Sequence, residues 1–519
     1  MKKFLLGFIG FCLCAVCAFS AVGCKPTDYG TTTTDTTKVV ANGGSSVVYD
    51  GNLYFVNGIG TNDGEHNGGT IGSIYKVAVD ADGKIAEDAT YTKVVDALVG
   101  YNKGSINIIG DFLYYTTPGT GENKTGEVLY NKTVFMRKNL VNGKTQEIYK
   151  TADNNKDEAV TFAFYKTGEN QSTLNLVVYE ATSKTLKSFK IGNEIETVFS
   201  KENITSAVFS ETMGSASDNA ENFVFYTMAA ETNAVDTSVN RVYRIGADGS
   251  SDTLINDNAS LTLEGVKAGK LLLSATFASQ KSIYAFNVTS NTQNGDITIA
   301  ATNDSKTPHE KSFEHIICAS DFDTLVYIEE ADGSLAVIYL QGNNLTYAKY
   351  TGNTAPSVTY TIHRFSSTPT INFVGTFTDS HDDGNGYLVF INEVSSKQHV
   401  YKIRYTFANE AECLEKREEK PTQLTESNIR VEESSSSSED AFKLGNLVPK
   451  IVGNYVYVFV NDEDKNVLMH RVNVYTPKEL NEQNPPVQDP DAGEGEDGEK
   501  DKEDELKITD AELVGGPEI

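Results

Sequence analysis

The 519-residue chain has no tryptophan, 12 prolines, 7 histidines and 6 cysteines, and it lacks any apolar run long enough to cross a bilayer. Its longest such run, Phe4 to Phe19, covers roughly 16 residues against the ~20 a spanning helix needs, which excludes an ordinary transmembrane anchor. Cysteine is too scarce for a disulfide scaffold, because Cys12, Cys14 and Cys17 fall inside that run. Beyond Cys24, only Cys318 and Cys413 remain, far apart and without metal-type spacing. They read as two buried apolar side chains, with a single bridge between them as the alternative. Positive charge is short as well: 44 Lys+Arg stand against 72 Asp+Glu, a formal net charge of −28, which argues against a phosphate backbone as partner. There is no His-Glu-x-x-His pair, no Gly-x-Ser-x-Gly elbow and no phosphate-cradling Gly-Lys-Ser/Thr loop. These absences leave no recognisable catalytic motif and no cofactor to expect.

The first segment present is the basic pair Lys2-Lys3, followed by the apolar run and then by Ala21-Val22-Gly23-Cys24. It resembles the leader of a bacterial lipoprotein, with Ala21 where such leaders usually carry Leu. The resemblance implies removal of residues 1–23 and lipidation of Cys24, and two acyl chains suffice for stable anchoring. The expected address is the extracytoplasmic face of the cell membrane, reached through the N-terminal lipid. Residues 24–36, with the run Thr31 to Thr34, read as a polar stalk.

Gly, Thr, Tyr and Phe are abundant and long helical periods are few, so the body reads as all-β. A hairpin pattern recurs, clearest at Val47 to Phe55, Ile108 to Tyr115 and Ile451 to Val458. In each, Gly beside Asp or Asn supplies the positive-φ positions of a tight turn between two strands. A third strand follows, marked by an aromatic or similar residue and then a cation: Tyr75-Lys76, Met136-Arg137, Tyr243-Arg244, Tyr401-Lys402 and His470-Arg471. Its alternation predicts one buried and one wet face. Runs such as Tyr91 to Val95 and Gln146 to Lys150 close the units as fourth strands. Units of four strands begin near 45, 104, 158, 205, 260, 313, 357 and 444. Such a period predicts a β-propeller of seven or eight blades spanning 37–480.

The last unit shows three strands before Asn484-Pro485-Pro486, and Thr37-Lys38-Val39-Val40 repeats the tetrapeptide Thr92-Lys93-Val94-Val95. Residues near 35 to 41 are therefore expected to complete the final blade, leaving a tether from Lys25 to Asp35 of at most ~40 Å. The Gly-Asp hairpins with their Tyr-Lys and Tyr-Arg strands resemble the TolB-like propellers of bacterial envelope lipoproteins. That resemblance implies a protein-binding or scaffolding role at the envelope, and the expectation is a non-catalytic module for a protein or glycan partner. Two other readings stay open: a propeller enzyme acting on extracellular glycans, and a solute-binding lipoprotein.

Two segments stand outside the repeat. Residues 415–443, with Ser434 to Ser438, read as a flexible insertion, and 481–519 as a disordered acidic tail, Asp489 to Glu505 carrying ten acidic and two basic residues. The loop Asp379-Ser380-His381-Asp382-Asp383-Gly384 is rich in oxygen donors, which makes Asp379 and Asp383 the metal candidates. Phe390 stands where a calcium loop needs a bidentate Glu, so the expectation is a plain hairpin loop. His309 and His315, beside Glu310 and Glu314, read as surface or strand-edge residues. The tyrosines are expected to pack blade against blade, with a sugar-stacking cluster as the alternative.

Overall fold

A computed structural model describes residues 29, 39–58, 72–97, 99, 106–122, 128–155, 159–168, 171–210, 222–229, 240–256, 261–267, 269–277, 280–287, 314–318, 322–330, 332–350, 356–379, 385–407, 411–413, 421–429, 449–461, 467–476, 479–480 and 512–514. Among them, no helix is long and apolar enough to cross a membrane. Among the described residues, eight antiparallel sheets follow one another along the chain, seven of four strands and one of five, and in each the order in space is the order in sequence. Sheet 1 covers 46–95, sheet 2 106–150, sheet 3 160–201, sheet 4 204–256, sheet 5 262–318, sheet 6 322–364, sheet 7 370–423 and sheet 8 450–513. First strands of neighbouring sheets lie side by side: Ser46–Tyr49 meets Ile106–Ile109 on one side and Lys450–Val452 on the other. This is the layout of a β-propeller.

The tight turns follow the chemistry expected of them. Asp50 and Gly51 both have positive φ, as a type I′ turn requires. Gly110 and Gly453 are positive while Asp111 and Asn454 are not, which matches type II′.

The alternation along the strands has a different use from the one the sequence predicts. On Thr173–Glu180, Leu176 and Val178 join the core shared with Phe112 and Phe135 of sheet 2. The intervening Val177 and Tyr179 join the core shared with Val224 and Tyr226 of sheet 4. Both faces of a blade are buried because a neighbouring blade covers each. Phe225 and Leu271 couple sheets 4 and 5, Leu272 and Val337 sheets 5 and 6, Ile338 and Phe390 sheets 6 and 7, and Val389 and Val456 sheets 7 and 8. One further core gathers Tyr457 and Met469 of sheet 8, Phe55 and Tyr75 of sheet 1, and Ile108 and Leu113 of sheet 2. Each fully buried Val, Leu or Phe contributes about 1.5–3 kcal/mol, so these junctions dominate stability.

Several sequence expectations are corrected. Val39–Gly44 does not complete the last blade; it pairs with Ile106–Ile109 as a fifth strand of sheet 2, with Val39 opposite Ile109. The reason lies in that neighbour, whose Ile106, Ile108 and Ile109 are fully buried, whereas other first strands such as Ile204–Phe209 are mostly half-exposed. A first strand apolar at three of four positions needs a cover, and the N-terminal strand provides it.

The fourth strand of sheet 8 is Glu512–Leu513, from within the segment read as an acidic tail. Glu512 lies opposite Arg471, and Val514, fully buried, donates its N–H to the Met469 carbonyl at 2.8 Å. Likewise Thr422–Gln423, inside the expected 415–443 insertion, is the fourth strand of sheet 7, with Leu424 and Ile429 buried behind it. The sequence units also drift: Glu314–Cys318 and Val358–Arg364 close sheets 5 and 6 where the repeat reading began new units.

Candidate functional site

The third-strand cations, expected on a wet face, are interior groups. Arg137, Arg244, Lys402 and Arg471 are 0%, 4%, 1% and 5% exposed. Each lies over an aromatic ring of the second strand: Arg137 over Phe112 (4.7 Å), Arg244 over Phe223 (4.5 Å), Lys402 over Tyr387 (5.2 Å) and Arg471 over Tyr455 (4.5 Å). The geometry is common to all four. Each cation is directly opposite Tyr114, Phe225, Val389 or Tyr457, and the ring belongs to the residue two positions earlier, on the same face of the pleat. For Arg137, Lys402 and Arg471 the signal was present in the sequence as an aromatic just after a hairpin glycine, paired with the later cation. It is missed when the two strands are read separately.

Three of these cations then reach into the next sheet. Arg137 donates through Nη2 to the Gly192 carbonyl of sheet 3 (2.5 Å), and Arg471 through Nη1 to the Gly83 carbonyl of sheet 1 (2.9 Å). Lys402 Nζ meets both carboxylate oxygens of Glu479, at 2.7 and 2.8 Å, with the rings of Phe377, Tyr387 and Tyr475 all within 6 Å. Cation and ring thus form a bolt across the blade junction. Lys76 is the contrast: two positions before its partner Tyr54 stands Asn52 in place of a ring, and Lys76 stays half-exposed. Arg137→Ala is therefore expected to destabilise by about 3 kcal/mol, and Lys76→Ala by less than about 0.5 kcal/mol. Paired urea denaturation curves measure the difference.

Sheets 2 and 3 share a second polar lock. Glu180, fully buried, accepts from Tyr149 Oη (2.5 Å), Lys187 Nζ (2.9 Å), the Ala152 N–H (3.0 Å) and Ser183 Oγ (3.0 Å). Burial alone would raise its carboxyl, but these donors outweigh it and hold the Glu180 pKa below the usual carboxylate range. Burial, then the bond to Glu180, pushes the Tyr149 hydroxyl up. Such a carboxylate is an acceptor locked in place. It is the opposite of the raised, solvent-reaching acid that proton donation to a substrate requires.

On the first strand of sheet 8, burial lowers the Lys450 ammonium to about 8. A lowered amine destabilises the fold while the unfolded chain is protonated and the folded one resists charging. That cost is complete below pH 8 and fades as pH rises toward about 10.4. Lys450→Met is accordingly expected to raise stability at pH 7 by about 2 kcal/mol, with the gain shrinking between pH 8 and 10. Thermal melts across that pH series read it out.

The metal candidates do not assemble into a site among the described residues. Asp379 is 4% exposed and accepts from Tyr475 Oη at 3.1 Å, which ties the loop to sheet 8, while Asp383 lies outside the described residues, as do Cys24, His66, His309 and His381. No group of three His, Cys, Asp or Glu side chains fit to hold a metal occurs among those described. His315 and Cys318 lie on Glu314–Cys318 of sheet 5. Cys413 is buried in the core of sheets 6 and 7, with Sγ donating to the Thr361 carbonyl at 3.4 Å. His399 Nδ1 lies 3.1 Å from the Thr425 carbonyl, and burial lowers the pKa of His363.

The tyrosines mostly pack blade on blade, as in the stack of Tyr347 of sheet 6 on Tyr405 of sheet 7, 6.1 Å apart at 26°. No described Tyr or Phe side chain is fully exposed.

No family model and no curated protein matches the chain. Among solved structures it is similar to the β-propeller domain of the Trilobed protease from Pyrococcus furiosus, at 9% identity, covering 74% of this chain and 95% of that one, with a TM-score of 0.38. Similar too are oligopeptidase B from Trypanosoma brucei (10% identity, 71% of this chain and 46% of that one, TM-score 0.40) and the N-terminal domain of Nup159 (11% identity, 70% and 95%, TM-score 0.30). The propeller rests on the sheet order and shared cores described above, and these likenesses carry nothing about activity.

Proposed function

We propose that the chain is a lipid-anchored, extracytoplasmic propeller of eight blades that acts as a non-catalytic binding or scaffolding module. Closure of the ring is supported by the core in which Tyr457 and Met469 of sheet 8 pack with Phe55 and Tyr75 of sheet 1. The anchor is supported by the basic start, short apolar run and Gly23-Cys24 box, and two acyl chains on Cys24 hold a protein of this size stably.

The non-catalytic reading rests on one observation above the others: the fully buried Glu180 and the partly buried Glu479 are both engaged with cations at the blade junctions. Glu180 is bound by Lys187 and Tyr149, and Glu479 by Lys402. Both are held below the ordinary carboxylate range: burial alone would raise them, but for Glu180 the bonds from Tyr149 and Lys187, and for Glu479 those from Lys402 and Thr476, outweigh it. What remains for function is surface, displayed on a rigid ring. The strongly acidic balance favours a neutral or basic partner over nucleic acid.

Expression of the full chain and its Cys24→Ser variant tests the anchor. The parent is expected in the membrane fraction with an acylated N-terminal peptide, and the variant in the soluble fraction; parent and variant both soluble would overturn it. Affinity capture from envelope extracts with the form starting at Lys25 then tests for a partner.

A further inference from the structure

The residue nearest the lipid site that the structure places is Tyr29, five positions after Cys24, and it is already docked on the propeller. Its carbonyl accepts from Asn139 Nδ2 at 3.2 Å. The same Asn139 side chain accepts through Oδ1 from the Val141 N–H (2.8 Å) and the Asn142 N–H (3.0 Å), building the turn between the third and fourth strands of sheet 2. Val141 on that turn is 80% exposed, the most exposed of the four large apolar side chains that face solvent among the described residues. A single exposed valine carries no meaning by itself. Here the tether selects it, because one carboxamide holds both the chain leading to Cys24 and the backbone of Val141.

Five residues reach at most ~17 Å when fully extended. That is shorter than the tether expected from the sequence, which ran on to Asp35. From this we infer that the Leu140-Val141 turn of sheet 2 is the part of the propeller that touches the bilayer, and the inference rests on lipidation of Cys24. The face bearing the turns between first and second strands and between third and fourth strands then looks toward the membrane. The turns between second and third strands, such as Ser395-Ser396 beside Val394, look away from it. Attraction to anionic lipid is not the cause, since the chain carries a net charge of −28. The short leash and an apolar tip are enough on a zwitterionic surface.

The test uses the full lipidated chain with an environment-sensitive fluorophore on Val141→Cys or, separately, on Val394→Cys. Labelled proteins are reconstituted into phosphatidylcholine vesicles with brominated acyl chains. Each sample is also floated on a gradient and its N-terminal peptide weighed. Expected is at least two-fold stronger quenching at position 141 than at 394, lost in the unlipidated form starting at Lys25. Protein that floats with acylated Cys24 but shows equal quenching at both positions overturns the orientation alone. Protein that neither floats nor carries acyl chains overturns the anchor, and the orientation with it. An Asn139→Ala variant that floats but loses the contrast between the two positions supports the role of the Tyr29 dock; an unchanged contrast contradicts it.

Discussion

Glu479→Gln is expected to destabilise the propeller by about 3 kcal/mol, read as a lowered urea midpoint at unchanged slope. The carboxylate is the counter-charge of Lys402, whose side chain is 2% exposed, and removing it leaves a buried ammonium without its ion-pair partner. The three surrounding rings recover part of the loss, which places the expectation at the low end of the range for a broken buried pair. Lys402→Met combined with Glu479→Leu removes both charges and is expected to cost less than the single change, because no buried charge is then left without its partner.

The pair also sets a pH dependence. Burial alone would raise the Glu479 carboxyl, but the bonds from Lys402 and from Thr476 hold it below its ordinary value. A depressed carboxylate contributes stability that is complete above the unfolded value near 4.3 and is lost as pH falls through the folded one. Melting curves from pH 6 down to pH 3 should therefore fall more steeply for the parent than for the double variant.

Val514→Asp carries the second large effect, expected at more than about 3 kcal/mol. Val514 is fully buried in the core that joins sheets 8, 1 and 2, and a carboxylate there would be taken out of water among apolar side chains. Removal of 512–519 should act alike, since it takes away the closing strand as well. Glu512→Ala, by contrast, should cost less than about 1 kcal/mol: its side chain is 63% exposed, so the ion pair with Arg471 is screened by water. A truncation that melts with the parent would show that the ring does not depend on its C-terminal strand.

Much of this architecture is readable from the chain, and the failures have physical causes. Tight turns at Asp50-Gly51, Gly110 and Gly453 announce themselves because few residues tolerate positive φ. Sheets 1 and 2 fall at the expected places for that reason. In sheets 5 and 7 the fourth strand lies beyond a long connection, so period alone misassigns Glu314–Cys318 and Thr422–Gln423. For the fourth strand of sheet 8 the sequence pattern points to the wrong end of the chain. Thr37 to Val40 resembles a fourth strand in sequence, but Glu512–Leu513 is only two residues long and carries no periodic pattern to find. The buried cations escaped because a Lys or Arg on an alternating strand reads as solvated. Only the ring two residues before its cross-strand partner shows that it is not, as Phe112 does for Arg137.

Amide hydrogen exchange at the C-terminus tests the closed ring most directly. The Val514 N–H is bonded to the Met469 carbonyl at 2.8 Å inside the core of sheets 8, 1 and 2. If the last blade is completed there, peptides covering 512–514 exchange as slowly as those covering the neighbouring strand Val467–Asn473. Exchange of 512–514 at the rate of an unstructured peptide, with Val467–Asn473 protected, would contradict the account.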